Sequence, residues 1–284
     1  MKYNGHTNTK NVAVCCVNGR TERGRFVWSR RRQHLTERRE PVSTAVPVPE
    51  GNISQRPLQF FWIADYSGSM SGKKVATLNQ AIREALPAVR AAVSAHPEVA
   101  IMMRAIKFSD SAEWHVGPGT VSIEQFVWPE LSTAGGTSTA QAIRLLASEM
   151  HIDKMPRRGY PPVCILISDG FCTDPQEEYE AAIAELLKHP WGKRAVRLAI
   201  AVGDPADYDE NELLKFVSHP EIGVLHADTP QKLVNYIRWA SVAASVGASV
   251  GKSKAGGSDP DSQNVVLPTP PTEPTVSSNG LDVF

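Results

Sequence analysis

Apolar residues along this chain come in short uninterrupted runs rather than in strict alternation, and segments with helical spacing lie between the runs. The runs LQFFWIA (58–64), VAIMMRAIKF (99–108), PVCILIS (162–168), AVRLAIAV (195–202) and IGVLHA (222–227) have the length of strands. Strands that are apolar on both sides belong in a sheet covered on both faces. A short antiparallel edge strand is expected near Ala112 to Val116. From Lys73 onward, Val75, Leu78, Ile82, Leu86, Val89 and Val93 recur by steps of three and four, which predicts a core-facing helix. Pro87 falls inside it and should kink it or remove one backbone bond. A second helix is predicted over 139–150, with Ala142, Ile143, Leu146 and Met150 inward. Further helices are predicted over 175–188, 209–217 and 229–246, the last capped by Thr229 with Pro230 at its first position. Strands crossed over by helices predict an α/β fold, a doubly wound and mostly parallel sheet with helices on both faces.

This pattern occupies residues 58–246 and fails on either side. The first 58 residues carry 11 Lys/Arg against 4 Asp/Glu and show no sustained period, so 1–57 is expected to be a basic, disordered extension. Residues 247–284 are rich in Ser, Gly and Pro and are expected to be a disordered tail, in which PTPPTEP has the composition of polyproline II. Residues 59–241 carry 17 Lys/Arg against 22 Asp/Glu, a mildly acidic body that argues against nucleic acid as its partner. Cys15, Cys16, Cys164 and Cys172 have neither zinc-site spacing nor a disulfide framework, which fits a reducing compartment. No apolar stretch has the length of a membrane span and no secretory h-region opens the chain, so a cytoplasmic protein without a membrane partner is expected.

Three polar loops leave the carboxyl ends of the predicted strands, where ligands bind in such sheets. The first is Asp65-Tyr66-Ser67-Gly68-Ser69, the second TAGGTSTA with Gly135, Gly136 and Thr137, and the third ISDG with Asp169 and Gly170. A carboxylate at the end of a buried strand, followed by two hydroxyls on a tight turn, is unfavourable unless something binds there. The three loops offer carboxylate and hydroxyl oxygens with no His or thiolate adjacent in sequence. Such a donor set suits a hard cation, Mg²⁺ or Mn²⁺, better than zinc or copper.

A strand ending in D-x-S-x-S, a later G-G-T ahead of a helix and a second strand ending in S-D-G resemble the metal-ion-dependent adhesion site of the von Willebrand factor type A (VWA) fold. The resemblance spans about residues 58–246. The SGSM-x-G segment, its following helix (LNQAIREALPAVR) and IRWASVAASVGAS are similar to the bacterial tellurium-resistance VWA proteins of the TerY type. The resemblance implies a non-enzymatic protein-binding module with metal residues Asp65, Ser67, Ser69, Thr137 and Asp169. Ser67 and Ser69 would coordinate directly and Thr137 directly or through water, while Asp65 and Asp169 would hold metal-bound waters. The open position would accept an Asp or Glu carboxylate from a protein partner. It further implies a stress or tellurite-resistance setting, with a Ser/Thr kinase and a PP2C-like phosphatase as partners. Thr139 is a second candidate for the threonine ligand, Tyr66 for a partner contact, and Asp174 for a turn or cap.

One alternative is a cofactor subunit of a MoxR-like AAA+ ATPase. Another is a haloacid-dehalogenase-type phosphatase with Asp65 as nucleophile, but that chemistry needs D-x-D and the second acid is here Ser67. A serine-hydrolase elbow and a phosphate loop both fail on glycine spacing. The eight histidines form no ligand spacing with one another or with Cys, and surface or capping roles are expected for them.

Overall fold

The structure is a computed structural model that describes residues 55–250 and 267–271. Most of the expected basic extension and of the expected tail lies outside the described residues, but Arg56 and Pro57, expected in the extension, open the first strand, and residues 247–250, expected in the tail, end the last helix. Six strands form one sheet: β1 (Arg56–Asp65), β2 (Val99–Phe108), β3 (Ala112–Ser122), β4 (Val163–Ser168), β5 (Val196–Val202) and β6 (Leu225–Ala227). Their order is β3-β2-β1-β4-β5-β6, with only the β2–β3 pair antiparallel. The helices are α1 (Lys73–Ser94), α2 (Thr139–Glu149), α3 (Gln176–Lys188), α4 (Pro190–Arg194), α5 (Glu210–Phe216) and α6 (Pro230–Val250). This is the expected doubly wound α/β architecture.

Period-two alternation divides each central strand between two cores. Phe60, Trp62, Ile165, Ile167, Leu198 and Ile200 face one side, where Leu78, Ile82 and Val89 of α1 and Leu233 and Ile237 of α6 cover them. Phe61, Ile63, Leu166 and Ala199 face the other, under Ile143 and Leu146 of α2, Tyr179 of α3 and Phe216 of α5. Because both faces are covered, the strands read as solid apolar runs rather than as alternating ones. Leu267, within the expected tail, is half-buried against the first core.

Two further strand boundaries and one short helix differ from expectation, while α1 loses one backbone bond at Pro87 as expected. The edge strand β3 continues to Ser122 instead of stopping near Val116, passing through Gly117-Pro118-Gly119. An edge strand has one unpaired side, so a residue without N–H is tolerated there. Conversely, β6 begins at Leu225 rather than 222, because Ile222 and Gly223 donate their N–H groups to the His219 carbonyl in a turn. The helix α1 runs unbroken through Pro87, which is exposed, so the carbonyl deprived of its donor can meet water. The short α4 was not legible as a separate element, since five residues give no measurable period.

Two buried polar residues tie the layers together. Asn79 of α1 accepts from Leu131 N and Trp128 Nε1, both at 2.9 Å, and donates to the Leu131 carbonyl at 2.9 Å. It thereby anchors the long segment that leads from β3 to the second polar loop. Arg104 of β2 donates to Glu149 Oε2 at 2.6 Å and to Gln59 Oε1 at 3.3 Å, and its guanidinium lies 4.4 Å from the Phe61 ring centroid. Lys154 meets the other Glu149 oxygen at 2.7 Å.

Candidate metal centre

The chain leaves β1 toward β2 on one side and leaves β4 toward β5 on the other, so the crevice between the ends of β1 and β4 is the switch point of the sheet. Asp65 is the last residue of β1, and Asp169 follows the last residue of β4. Both are fully buried, as is Ser67. The Ser67 and Ser69 hydroxyl oxygens stand 3.0 Å apart, and Ser69 Oγ donates to Asp169 Oδ1 at 3.2 Å. The structure therefore brings together oxygens from loops about a hundred residues apart in sequence.

The second loop is laced to both others. Gly68 N donates to the Gly135 carbonyl at 2.9 Å and Ala134 N to the Tyr66 carbonyl at 2.9 Å. Thr173 donates to the Thr137 carbonyl through N at 2.9 Å and through Oγ1 at 3.0 Å, while Thr137 N donates to Thr173 Oγ1 at 3.1 Å. Thr137 is buried, and the hydrogen bonds that fix it run through its backbone. Gly135 has φ +71°, and a Cβ there would collide with the Asp110 carboxylate, whose Oδ1 accepts from Gly136 N at 2.6 Å. The paired glycines thus allow the loop to wrap an acidic side chain.

Asp65 has both oxygens engaged by neutral donors: Oδ1 accepts from Ser67 N at 2.8 Å and Oδ2 from Ser168 Oγ at 2.6 Å. The Ser168 hydroxyl in turn accepts from Gly170 N at 2.8 Å, joining the ends of β1 and β4. Asp169 is balanced differently, since Lys74 Nζ lies 2.9 Å from its Oδ2. Burial pushes the Asp65 carboxyl up from 3.8 to about 6; hydrogen bonds from Ser168 and Ser67 offset part of this, and the Asp169 charge adds to the rise. A buried carboxylate with only neutral donors is a place where a cation lowers the energy of the fold.

The donor arrangement fits a small divalent ion. Oxygens at 2.0–2.1 Å from an octahedral Mg²⁺ are about 3 Å from one another along each edge, close to the Ser67–Ser69 and Ser69–Asp169 spacings. No group of three or more His, Cys, Asp or Glu able to hold a metal occurs among the described residues, so the candidate set depends on hydroxyls.

A pH prediction follows from Asp65. A carboxyl whose folded pKa is raised stabilises the fold fully below its unfolded value, and that contribution is lost as pH rises through the folded value. The metal-free protein should therefore lose on the order of 3 kcal/mol between about pH 4 and pH 7 from this group alone. A bound divalent ion should remove that penalty. The Mg²⁺-induced rise in thermal midpoint, read by calorimetry, is expected to be larger at about pH 7.5 than at about pH 5. Equal rises at both would show that Asp65 does not sense the ion.

Thr139 opens α2 and is buried beside Cys172. Asp174 caps the start of α2 from another loop, accepting from Ser138 Oγ at 2.7 Å and Ala140 N at 2.6 Å. Tyr66 is half-buried against the first core, with Lys107 Nζ 5.2 Å from its ring centroid. His219 is buried against Ser218, whereas His115, His151 and His226 pack on Trp128, His189 and Tyr208. Sequence reasoning gave no role to Lys74, Ser168, Asp110 or Thr173. Of these only Ser168 carried a signal, being adjacent to Asp169.

No family model and no curated protein matches the sequence. Among solved structures, a von Willebrand factor type A protein from Catenulispora acidiphila is 16% identical over 67% of this chain and 43% of its own, with a TM-score of 0.51. The ArnB paralog VWA2 from Sulfolobus acidocaldarius is 19% identical over 65% of this chain and 45% of its own, with a TM-score of 0.48. This chain spans less than half the length of either. Identity at that level speaks to architecture alone, and with the strand order and helix layers described above it gives one conclusion: the chain has the von Willebrand factor type A fold.

Proposed function

We propose that this protein is a non-enzymatic VWA-type module that holds Mg²⁺ or Mn²⁺ between the ends of β1 and β4 and, through it, binds a carboxylate of a protein partner. The observation that carries this reading is the clustering of Ser67 Oγ, Ser69 Oγ and Asp169 Oδ1 at 3.0–3.2 Å beside a buried Asp65. In this reading Ser67 and Ser69 are direct ligands, Thr137 joins them directly or through water, and Asp65 and Asp169 orient metal-bound water. Neutral hydroxyl ligands leave a bound ion electrophilic, so that it can accept an Asp or Glu side chain from outside. Ser168 and the Ser67 N–H hold Asp65 still while this happens.

The same contacts weigh against phosphatase chemistry. A nucleophilic Asp65 would need an oxygen presented to substrate, yet the residue is fully buried and both oxygens accept hydrogen bonds from the protein. The finer reading is a cytoplasmic tellurium-resistance or stress protein of the TerY type, with a Ser/Thr kinase and a PP2C-like phosphatase as partners. Its support is the sequence resemblance in SGSM-x-G and IRWASVAASVGAS. No helix among the described residues is long and apolar enough to cross a membrane.

The test has two stages. Titration of the full chain with Mn²⁺, followed by calorimetry, should give one site; absence of binding would sink the metal centre. Affinity capture in Mg²⁺, in EDTA, and with Asp65→Ala in Mg²⁺ should then retain a kinase or phosphatase in the first condition alone. The same proteins in all three would overturn the metal bridge.

A further inference from the structure

Lys74 is the second residue of α1, just beyond the Ser67–Met70 turn, and its ammonium group is held in three ways. It lies 2.9 Å from Asp169 Oδ2, 3.0 Å from the Asp207 carbonyl oxygen and 5.9 Å from the Phe171 ring centroid. Its side chain is 19% exposed and that of Asp169 is fully buried, so this is an ion pair largely shielded from water. The other Asp169 oxygen accepts from Ser69 Oγ at 3.2 Å and from Phe171 N at 3.3 Å. A single carboxylate therefore separates a fixed positive charge from the hydroxyl cluster. Asp169 is neutralised by the chain itself, whereas Asp65 meets neutral donors alone.

From this geometry we infer that Lys74 is a resident counter-ion that weakens the divalent-ion affinity of the centre, so that firm loading requires the added negative charge of a partner's carboxylate. The inference rests on the reading of these loops as a cation centre. Two effects point the same way. Lys74 cancels the Asp169 charge that would otherwise attract a divalent ion, and it repels that ion through a poorly hydrated path. A partner carboxylate restores the balance, so ion and partner should each tighten the binding of the other by the same factor. The ion pair also keeps the metal-free loop ordered, because without Lys74 a fully buried Asp169 would face no cation.

The test is Mn²⁺ binding to the full chain, measured by calorimetry and by the loss of free Mn²⁺ signal in electron paramagnetic resonance. Wild type is compared with Lys74→Met, Lys74→Gln and Lys74→Arg. Met removes the charge at similar volume; Gln also keeps a donor for Asp169 and the Asp207 carbonyl, which guards against a simple failure to fold. Both are expected to bind Mn²⁺ at least about tenfold more tightly than wild type. Arg should stay within about threefold of it. The metal-free Met variant should melt below wild type, and Mn²⁺ should raise its midpoint by more. Unchanged or weaker binding in Met and Gln would overturn the inference and make Lys74 a positioning residue that aims Asp169. No Mn²⁺ binding by wild type would instead remove the cation centre itself, and the inference with it.

Discussion

Asp65→Asn is expected to make the metal-free protein more stable at about pH 7.5 while weakening its affinity for divalent ions by about 10–100-fold. The two effects have one cause. Asp65 is fully buried, and burial pushes its carboxyl up to about 6, so at neutral pH the fold carries an ionised group that water no longer solvates. Replacing it by an amide of the same shape removes that charge. The amide oxygen can still accept from Ser67 N, but the Ser168 hydroxyl, which already accepts from Gly170 N, would lose the acceptor for its proton. A lost hydrogen bond costs about 1 kcal/mol against a charge penalty on the order of 3 kcal/mol. A net gain of about 1–2 kcal/mol raises the midpoint of a domain this size by roughly 2–8 °C. Scanning calorimetry of both proteins in EDTA checks the first effect and Mn²⁺ titration the second. A variant that loses stability along with binding would make Asp65 a structural cap rather than a member of an ion site.

Glu149→Ala should destabilise the fold by about 3–5 kcal/mol. Glu149 is the carboxylate that answers Arg104, a residue 4% exposed whose guanidinium lies against Phe61 and Trp114. Burial acts to raise the Glu149 carboxyl, yet hydrogen bonds from Lys154 and Arg104 outweigh it and hold the group below its ordinary value. The pair's contribution is therefore present at neutral pH and is lost as pH falls through that lowered value. Removing the acid leaves Arg104 with Gln59 as its remaining polar partner and with Nε unsatisfied. Urea unfolding should show the midpoint falling at nearly constant slope. The double change Arg104→Met with Glu149→Leu should recover most of the loss, since breaking a buried pair costs far more than replacing it. If the double variant were as unstable as the single one, packing around the Glu149 stem rather than charge would be responsible.

The elements that were legible in sequence share a physical reason. Strands β1, β2, β4 and β5 are buried on both faces, so composition alone marks them, and the register of Asp65 and Asp169 at their ends follows from chain geometry. The edges were harder to read. In β3, Gly117-Pro118-Gly119 has the composition of a turn, and only its place at the margin of the sheet allows a strand to run through it. Just ahead of β6, Gly223 takes φ +68° inside what reads as an apolar run. Lys74 was invisible as a site residue because its partner is 95 positions away, and a lysine in the first turn of a helix otherwise reads as solvated. Asn79 was hidden for a similar reason, since a polar residue between Leu78 and Ile82 shows its purpose only when Leu131 and Trp128 arrive beside it.

The two margins of the sheet also bear on how this protein behaves at high concentration. An open strand is a template on which a second chain can add a strand of its own, and long flat margins are where ordered aggregates begin. Here β6 pairs over only three residues. On the opposite side, β3 shifts register twice against β2 and carries a proline that offers no N–H. Neither border presents a long regular row of backbone donors and acceptors. Contacts made by strand addition are thereby discouraged, and the domain can be crowded without zipping onto copies of itself.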